Sequence, residues 1–173
     1  RVLLRVFLAT GLRLAEICSL DRDTLKAEVT DLPAGKRILG VGRIIGKGQD
    51  REGEFFVDLA TLREIHEYLR TRNDTSNALF ISSRGKRISA RAVDHMLRKW
   101  CRKLGLEVIH AHQLRSRFAT DLDAMGVPLK EISTLLRHAS PVTTMAYIRK
   151  DAARVRAAYF AAFEPRTPSA IPS

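Results

Sequence analysis

Leu4, Phe7 and Leu8 recur at helical spacing in RVLLRVFLAT, so the chain opens on a helix that breaks at Gly11. TGLRLAEICSL then predicts a second, short helix with Leu14, Ile17 and Cys18 on its apolar side, and with Arg13 and Glu16 three residues apart. From Lys26 to Leu59 the helical period disappears. KRILGVGRIIGKG and REGEFFVDL carry β-branched and aromatic residues among scattered glycines, the texture of a small antiparallel sheet with GKGQD as its hairpin turn. Thr61 followed by Glu64 reads as a capping box for a helix that runs to Arg70 along Leu62, Ile65 and Leu69. NDTSNALFISSRGKRI is mostly loop. Ser89 then caps an amphipathic helix with Val93, Met96, Leu97, Trp100 and Leu104 inside and Arg98, Lys99, Arg102 and Lys103 outside. Trp100 is read as core rather than as a platform for a stacked base.

In HQLRSRFATDLDAMG the stripe Leu114, Phe118, Leu122 makes a helix that closes at Gly126. His112 and Arg115, three apart on another face, can address one target, and a phosphate suits both side chains. PLKEISTLLRH is a further helix with Pro128 at its first position, and SPVTTMAYIRK repeats the device with Ser140 and Pro141. A last helix is expected over about Ala152 to Phe163. EPRTPSAIPS holds three of the six prolines, which predicts a flexible Pro-rich tail at 164–173 that orders only on a partner.

A length of 173 residues with 45% hydrophobic content suits a single domain, here 1–163, whose core needs no disulfide. Cys18 and Cys101 fall in apolar-periodic segments and read as buried small hydrophobes in a reducing compartment. With no apolar run long enough to span a bilayer and no signal-peptide pattern, a cytoplasmic location is expected, with no membrane partner. The helical pattern is already running at Arg1 without a start methionine, so a longer parent protein is expected. Lys and Arg number 30 against 19 Asp and Glu, a net charge of +11 and a pI near 10.4. That excess favours a polyanion, most often nucleic acid, over a merely solvated basic surface.

Four motifs then fall in a recognisable order: TGLR with Glu16, GKG around Lys47, H-x-L-R-x-x-F-A-T with His112 and Arg115, and LLRHASPVTTMAY with His138 and Tyr147. H-x-x-R alone is a weak signal. A Thr-Thr stretch leading into a tyrosine nine residues after a histidine, downstream of both arginine motifs, is a strong one. Together, over nearly the whole chain, they resemble the catalytic domain of the tyrosine recombinase (phage integrase) family. One position departs from the family pattern: Arg137 stands where a glycine commonly precedes the histidine.

The resemblance implies an α+β, mostly helical fold with a small antiparallel β-sheet, the tyrosine recombinase catalytic-domain fold. It implies a site of Arg13, Lys47, His112, Arg115, His138 and Tyr147, with Glu16 orienting Arg13. The partner would be double-stranded DNA at specific recombination sites, bound by a homotetramer, with accessory DNA-bending proteins as further candidates and a DNA-binding domain preceding Arg1. Strands would be cut and rejoined through a 3′-phosphotyrosyl intermediate.

The chemistry asks for such a set. Negative charge grows on the non-bridging oxygens of a phosphodiester under attack, and the planar, permanently charged forks of Arg13 and Arg115 suit those oxygens. An ordinary ion pair with Glu16 is the competing reading of Arg13. His112, with an unperturbed pKa of about 6.5, can donate to the phosphate or accept the nucleophile's proton, or merely cap its helix. His138 would hydrogen-bond the phosphate, as the family's histidine does, or cap carbonyls. Tyr147 is the candidate nucleophile, a phenol of pKa about 10 that needs neighbouring cations. Tyr68 and Tyr159 lie on apolar stripes and read as packing. Lys47, between two glycines on a turn, is the candidate acid for the leaving 5′-oxygen, or a simple backbone-phosphate contact. No metal and no cofactor is called for, since His110 and His112 lack further ligands at zinc-like spacing. Two alternatives stand beside this reading: a type IB topoisomerase-like enzyme that swivels and reseals one strand, and a non-catalytic helix-turn-helix DNA-binding module built on PLKEISTLLRHASPVTTMAYIRK.

The charge excess generates one expectation of its own. Affinity for duplex DNA should fall steeply and linearly on a plot of log K against log salt, measured by fluorescence anisotropy; a flat line would remove the phosphate-dominated interface.

Overall fold

A computed structural model describes residues 1–32, 35–45 and 52–137 of the chain. The first helix, α1 (Val2–Thr10), stops at Gly11, which takes φ 57° and returns its N–H to the Phe7 carbonyl at 3.1 Å. The second, α2 (Leu14–Ser19), has six residues and buries Glu16 and Ile17. Both follow the apolar pattern.

The sheet has three antiparallel strands, β1 (Leu25–Leu32), β2 (Gly35–Ile45) and β3 (Glu52–Val57), in the order β1-β2-β3. Leu25 stands opposite Gly42, and Gly42 opposite Phe55. A Cβ on Gly42 would run into the Phe55 ring, so the missing side chain is what lets Phe55 lie over β2 and reach full burial. GKGQD, expected to turn between β2 and β3, lies outside the described residues.

The third helix, α3 (Leu59–Arg70), begins earlier than expected, and its cap is Asp58 rather than a Thr61–Glu64 box. The Asp58 carboxylate accepts the Thr61 N–H at 2.6 Å. An ionised cap is a stronger acceptor than a hydroxyl at the positive end of a helix. Thr61 is buried instead, its hydroxyl accepting from Arg5 Nε at 3.2 Å, while Glu64 pairs with Arg5 Nη1 at 3.2 Å.

After α3 the chain is loop, as the sequence suggested, yet it is organised around one buried side chain. Arg72 is 4% exposed and donates to Asp74 and to the carbonyls of Ala78 and Leu79 at 2.6 and 2.8 Å. These bonds let Ala78, Leu79 and Phe80 enter the core. The fourth helix, α4 (Ala90–Lys103), is capped by Ser89 and buries Val93, Leu97 and Cys101, with Met96 and Trp100 half-buried. Leu104, expected inside, is 68% exposed, because the helix ends at Lys103 and the chain turns over Gly105. Cys18 and Cys101 are free thiols.

Two helices complete the described chain: α5 (Ala111–Ala124), and α6 (Leu129–Leu135), which Pro128 precedes as cap rather than starting as first residue. Val6 and Phe7 of α1 are fully buried in the main core, with contributions from the sheet, α2, α3, α4 and α5. Ala119, Ile132 and Leu136, with Phe118, Leu122 and Val127 around them, form a second cluster that joins α5 to α6. Tyr68 packs on the main core with its ring 5.9 Å from that of Phe80, and Tyr159 lies outside the described residues.

Gly11 is the position where backbone and packing agree most tightly, since its φ is left-handed and a Cβ would overlap the Phe118 ring. Gly11→Ala combines the left-handed penalty, about 1–2 kcal/mol, with an overpacking cost of about 1–3 kcal/mol. Urea unfolding should show a lowered midpoint with unchanged slope; an unshifted midpoint would contradict this account of the α1–α2 junction.

Candidate active site

A helix of six residues has no stability of its own, so the placement of Arg13 depends on what holds α2. At its C-terminal end Arg87 Nη1 donates to the carbonyls of Ser19 at 2.8 Å and Leu20 at 3.0 Å, matching acceptors that the helix leaves open. At its N-terminal end Glu16 folds back. Its Oε2 accepts the Arg13 main-chain N–H at 2.7 Å and its Oε1 accepts from Arg13 Nη1 at 2.9 Å. Glu16 is buried, whereas the Arg13 side chain is 42% exposed. One edge of the Arg13 guanidinium is therefore anchored on a buried carboxylate while the side chain still reaches solvent.

A second guanidinium meets the same carboxylate. Arg137 Nη2 lies 3.1 Å from Glu16 Oε2, with both side chains under a tenth exposed. Arg137 Nη1 donates to the Leu135 carbonyl at 3.0 Å and to that of Glu54 in β3 at 3.4 Å. Burial pushes the Glu16 carboxyl up, but the Arg13 main-chain N–H, the Arg13 guanidinium and the Arg137 charge outweigh it and hold Glu16 below the ordinary carboxylate range. Burial lowers Arg137 from its usual value, and Glu16 opposes that shift.

On α5 the structure revises the sequence reading of Arg115. Spacing placed it with His112 on a face apart from the apolar stripe, but it is buried together with Ala111, Leu114 and Ala119. Its Nη1 donates to the Gly11 carbonyl and its Nη2 to that of Leu136 at 2.5 Å. Two of its partners are thus main-chain oxygens from distant segments, which helical spacing does not foretell. His112, one turn earlier, is exposed on the first turn of α5.

Arg115 thus ties the residue two before Arg13 to the residue one before Arg137, and Arg137 returns through Glu16 to Arg13. The structure brings Arg13, Glu16, Arg115 and Arg137 into one bonded ring, with His112 one helical turn from Arg115. Lys47, His138 and Tyr147 lie outside the described residues. Arg137 and Arg87 were not read from sequence as parts of this assembly. For Arg137 the signal was present as an arginine in a position usually held by glycine, which asks for an acidic partner; Arg87 carries no local signal.

Two guanidinium groups on one carboxylate, with the Arg115 guanidinium bonded to neighbouring carbonyls, leave a positive excess, and the Arg13 side chain and His112 both reach the surface. Such a site suits an anion of the phosphate type. Among the described residues no group of three or more His, Cys, Asp or Glu is placed to hold a metal ion, and no helix is long and apolar enough to cross a membrane.

The chain is similar to known proteins over most of its length. Tyrosine recombinase XerC of Shewanella amazonensis is 35% identical over 155 residues, covering 87% of this chain and 49% of the relative. Tyrosine recombinase XerA of Pyrococcus furiosus is also 35% identical, over 161 residues, covering 91% of this chain and 52% of the relative. The chain thus spans about half the length of these relatives. Among solved structures, XerH site-specific recombinase bound to a palindromic difH substrate in a post-cleavage complex superimposes with a TM-score of 0.75 at 24% identity, over 95% of this chain and 45% of that one. The crystal structure of XerA recombinase gives a TM-score of 0.71 at 22% identity, over 94% of this chain and 57% of that one. The fold is that of tyrosine recombinase catalytic domains, α+β and mostly helical with a small antiparallel sheet. The pattern of the phage integrase family matches residues 1–154, and the chain belongs to that family.

Proposed function

We propose that this domain is the catalytic part of a site-specific DNA recombinase, cutting and rejoining strands by transesterification at Tyr147. The observation that carries the reading is the Arg115 tie: it holds Gly11, two residues before Arg13, against Leu136 at the end of α6, two residues before His138 in sequence. That tie brings the flanks of the first arginine motif and of the histidine-to-tyrosine motif to one guanidinium.

In this scheme Arg13 and His112 receive the non-bridging oxygens of the scissile phosphate, with the buried Arg115 charge behind them. The Tyr147 oxygen attacks phosphorus and the bond to the 5′-oxygen breaks, leaving a 3′-phosphotyrosyl link. His112 or a neighbouring base takes the phenol proton, Lys47 gives a proton to the departing 5′-oxygen, and His138 donates to the phosphate. One phosphodiester is exchanged for another, so the step is nearly isoenergetic and reverses when a 5′-hydroxyl of a partner strand attacks. DNA is the substrate in this reading, in keeping with the XerH recombinase bound to its difH substrate. Assembly would be a homotetramer on two duplexes, with accessory DNA-bending proteins, the tail at 164–173 docking on a neighbouring subunit and a DNA-binding domain ahead of Arg1.

Nicked suicide duplexes with randomised arms, run on a denaturing gel, test the proposal. A covalent protein–DNA band is expected that Tyr147→Phe abolishes and that Arg13→Ala slows by about a hundredfold to a thousandfold. No band from the unaltered protein would mean a helix-turn-helix binding module instead. Relaxation of supercoiled plasmid without exchange between two captured sites would mean a swivelling topoisomerase.

A further inference from the structure

Position 137 carries an arginine at φ 53°, in the left-handed region that L side chains enter at a cost and glycine does not. A compensating interaction is needed, and it is in the structure. The side chain is 5% exposed, with Nη2 at 3.1 Å from Glu16 Oε2 and Nη1 at 3.0 Å from the Leu135 carbonyl. The sheet makes room for it: a Cβ on Gly53 of β3 would overlap the Arg137 Cδ.

Resting on the recombinase reading above, we propose that Arg137 is a positioning residue for strand cleavage, acting on Arg13 through the Glu16 carboxylate they share. Glu16 has two oxygens. Oε1 takes Arg13 Nη1, while Oε2 takes the Arg13 main-chain N–H and Arg137 Nη2. Remove Arg137, and Glu16 keeps only Arg13 as its cationic partner among these bonds. Oε2 then keeps only the Arg13 main-chain N–H among these bonds, and the carboxylate can turn to share its second oxygen with the Arg13 fork, drawing the fork inward and away from the phosphate. The charge balance points the same way. Arg13 with Glu16 alone is neutral, whereas the triad with Arg137 carries a net positive charge into the region where the phosphate binds. Arg137 is buried against Glu16, so its proposed action runs through that carboxylate.

Single-turnover cleavage of the captured duplex, with affinity and thermal midpoint measured alongside, tests this. Arg137→Gly keeps a residue suited to the left-handed backbone while removing the whole side chain, guanidinium and stem together, which is why the thermal midpoint is read alongside. The cleavage rate should fall by about tenfold to a hundredfold, the effect of a small misplacement at a reacting centre, while affinity changes far less. Arg137→Lys should recover part of the loss. In a Glu16→Gln background, which removes the buried charge that losing Arg137 would orphan, Arg137→Gly should cost little more. Wild-type cleavage by Arg137→Gly, a loss accounted for by a collapsed thermal midpoint in both the single and the double variant, or fully additive costs with Glu16→Gln would each overturn the proposal. Failure of the recombinase reading is recognised separately, because the unaltered protein would then give no adduct, and this inference would fall with it.

Discussion

The constraint on which the rest of the structure depends is the ionised carboxylate of Glu16 inside the protein. Taking a carboxylate out of water costs several kcal/mol unless charges and donors meet it with good geometry. Here it is met by a main-chain N–H and two guanidinium groups, and that requirement locates several chain segments at once. Arg13 must stand at the start of α2, the end of α6 must deliver Arg137, and β3 must present Gly53 and the Glu54 carbonyl to the arginine stem. Segments far apart in sequence are pinned together by a single buried charge rather than by apolar packing alone.

Arginine does the complementary work on the main chain. Arg72 gathers the loop after α3, Arg87 closes the C-terminal end of α2, and Arg115 joins Gly11 to Leu136, each through carbonyl oxygens that irregular backbone leaves open. This qualifies what the net charge of +11 means. Part of the basicity is internal scaffolding, since Arg72, Arg115 and Arg137 have buried side chains. The remaining excess still biases the surface toward polyanions, and the buried cations add to the field at the site without being spent on solvent.

Much of this was legible in the sequence because period and punctuation agree. The ends of α1 and α5 are marked by Gly11 and Gly126, α4 by Ser89, and the change to strand texture by the loss of helical spacing after Lys26. The Arg13–Glu16 pair followed from spacing alone. What stayed hidden depended on contacts over long sequence separation. Thr61 looked like a cap because its box was complete locally, yet Asp58 and Arg5 claimed the relevant atoms. Leu104 fitted the apolar stripe, but the helix stopped before it. Arg115 read as a phosphate-directed fork beside His112, and its burial was missed because no pattern rule anticipates a guanidinium bonded to carbonyls 104 and 21 residues away.

Depth then orders the site. Arg115 is fully enclosed, the Arg13 side chain is partly exposed, and His112 lies at the surface, though His112 and Arg115 are only one helical turn apart. In the proposed reading, an anion entering from solvent meets His112 and Arg13 first and feels Arg115 as a fixed charge behind them. Because Arg115 is already bonded to two carbonyls, and Glu16 already restrains Arg13, the proposed reaction would ask for little reorganisation as charge develops on the phosphate. A surface arginine could supply the same formal charge, but it would lose side-chain freedom on each encounter and be screened by water. Burying one cation and tethering another through a shared carboxylate therefore converts ordinary basicity into oriented basicity, which a transition state can use and a solvated patch cannot.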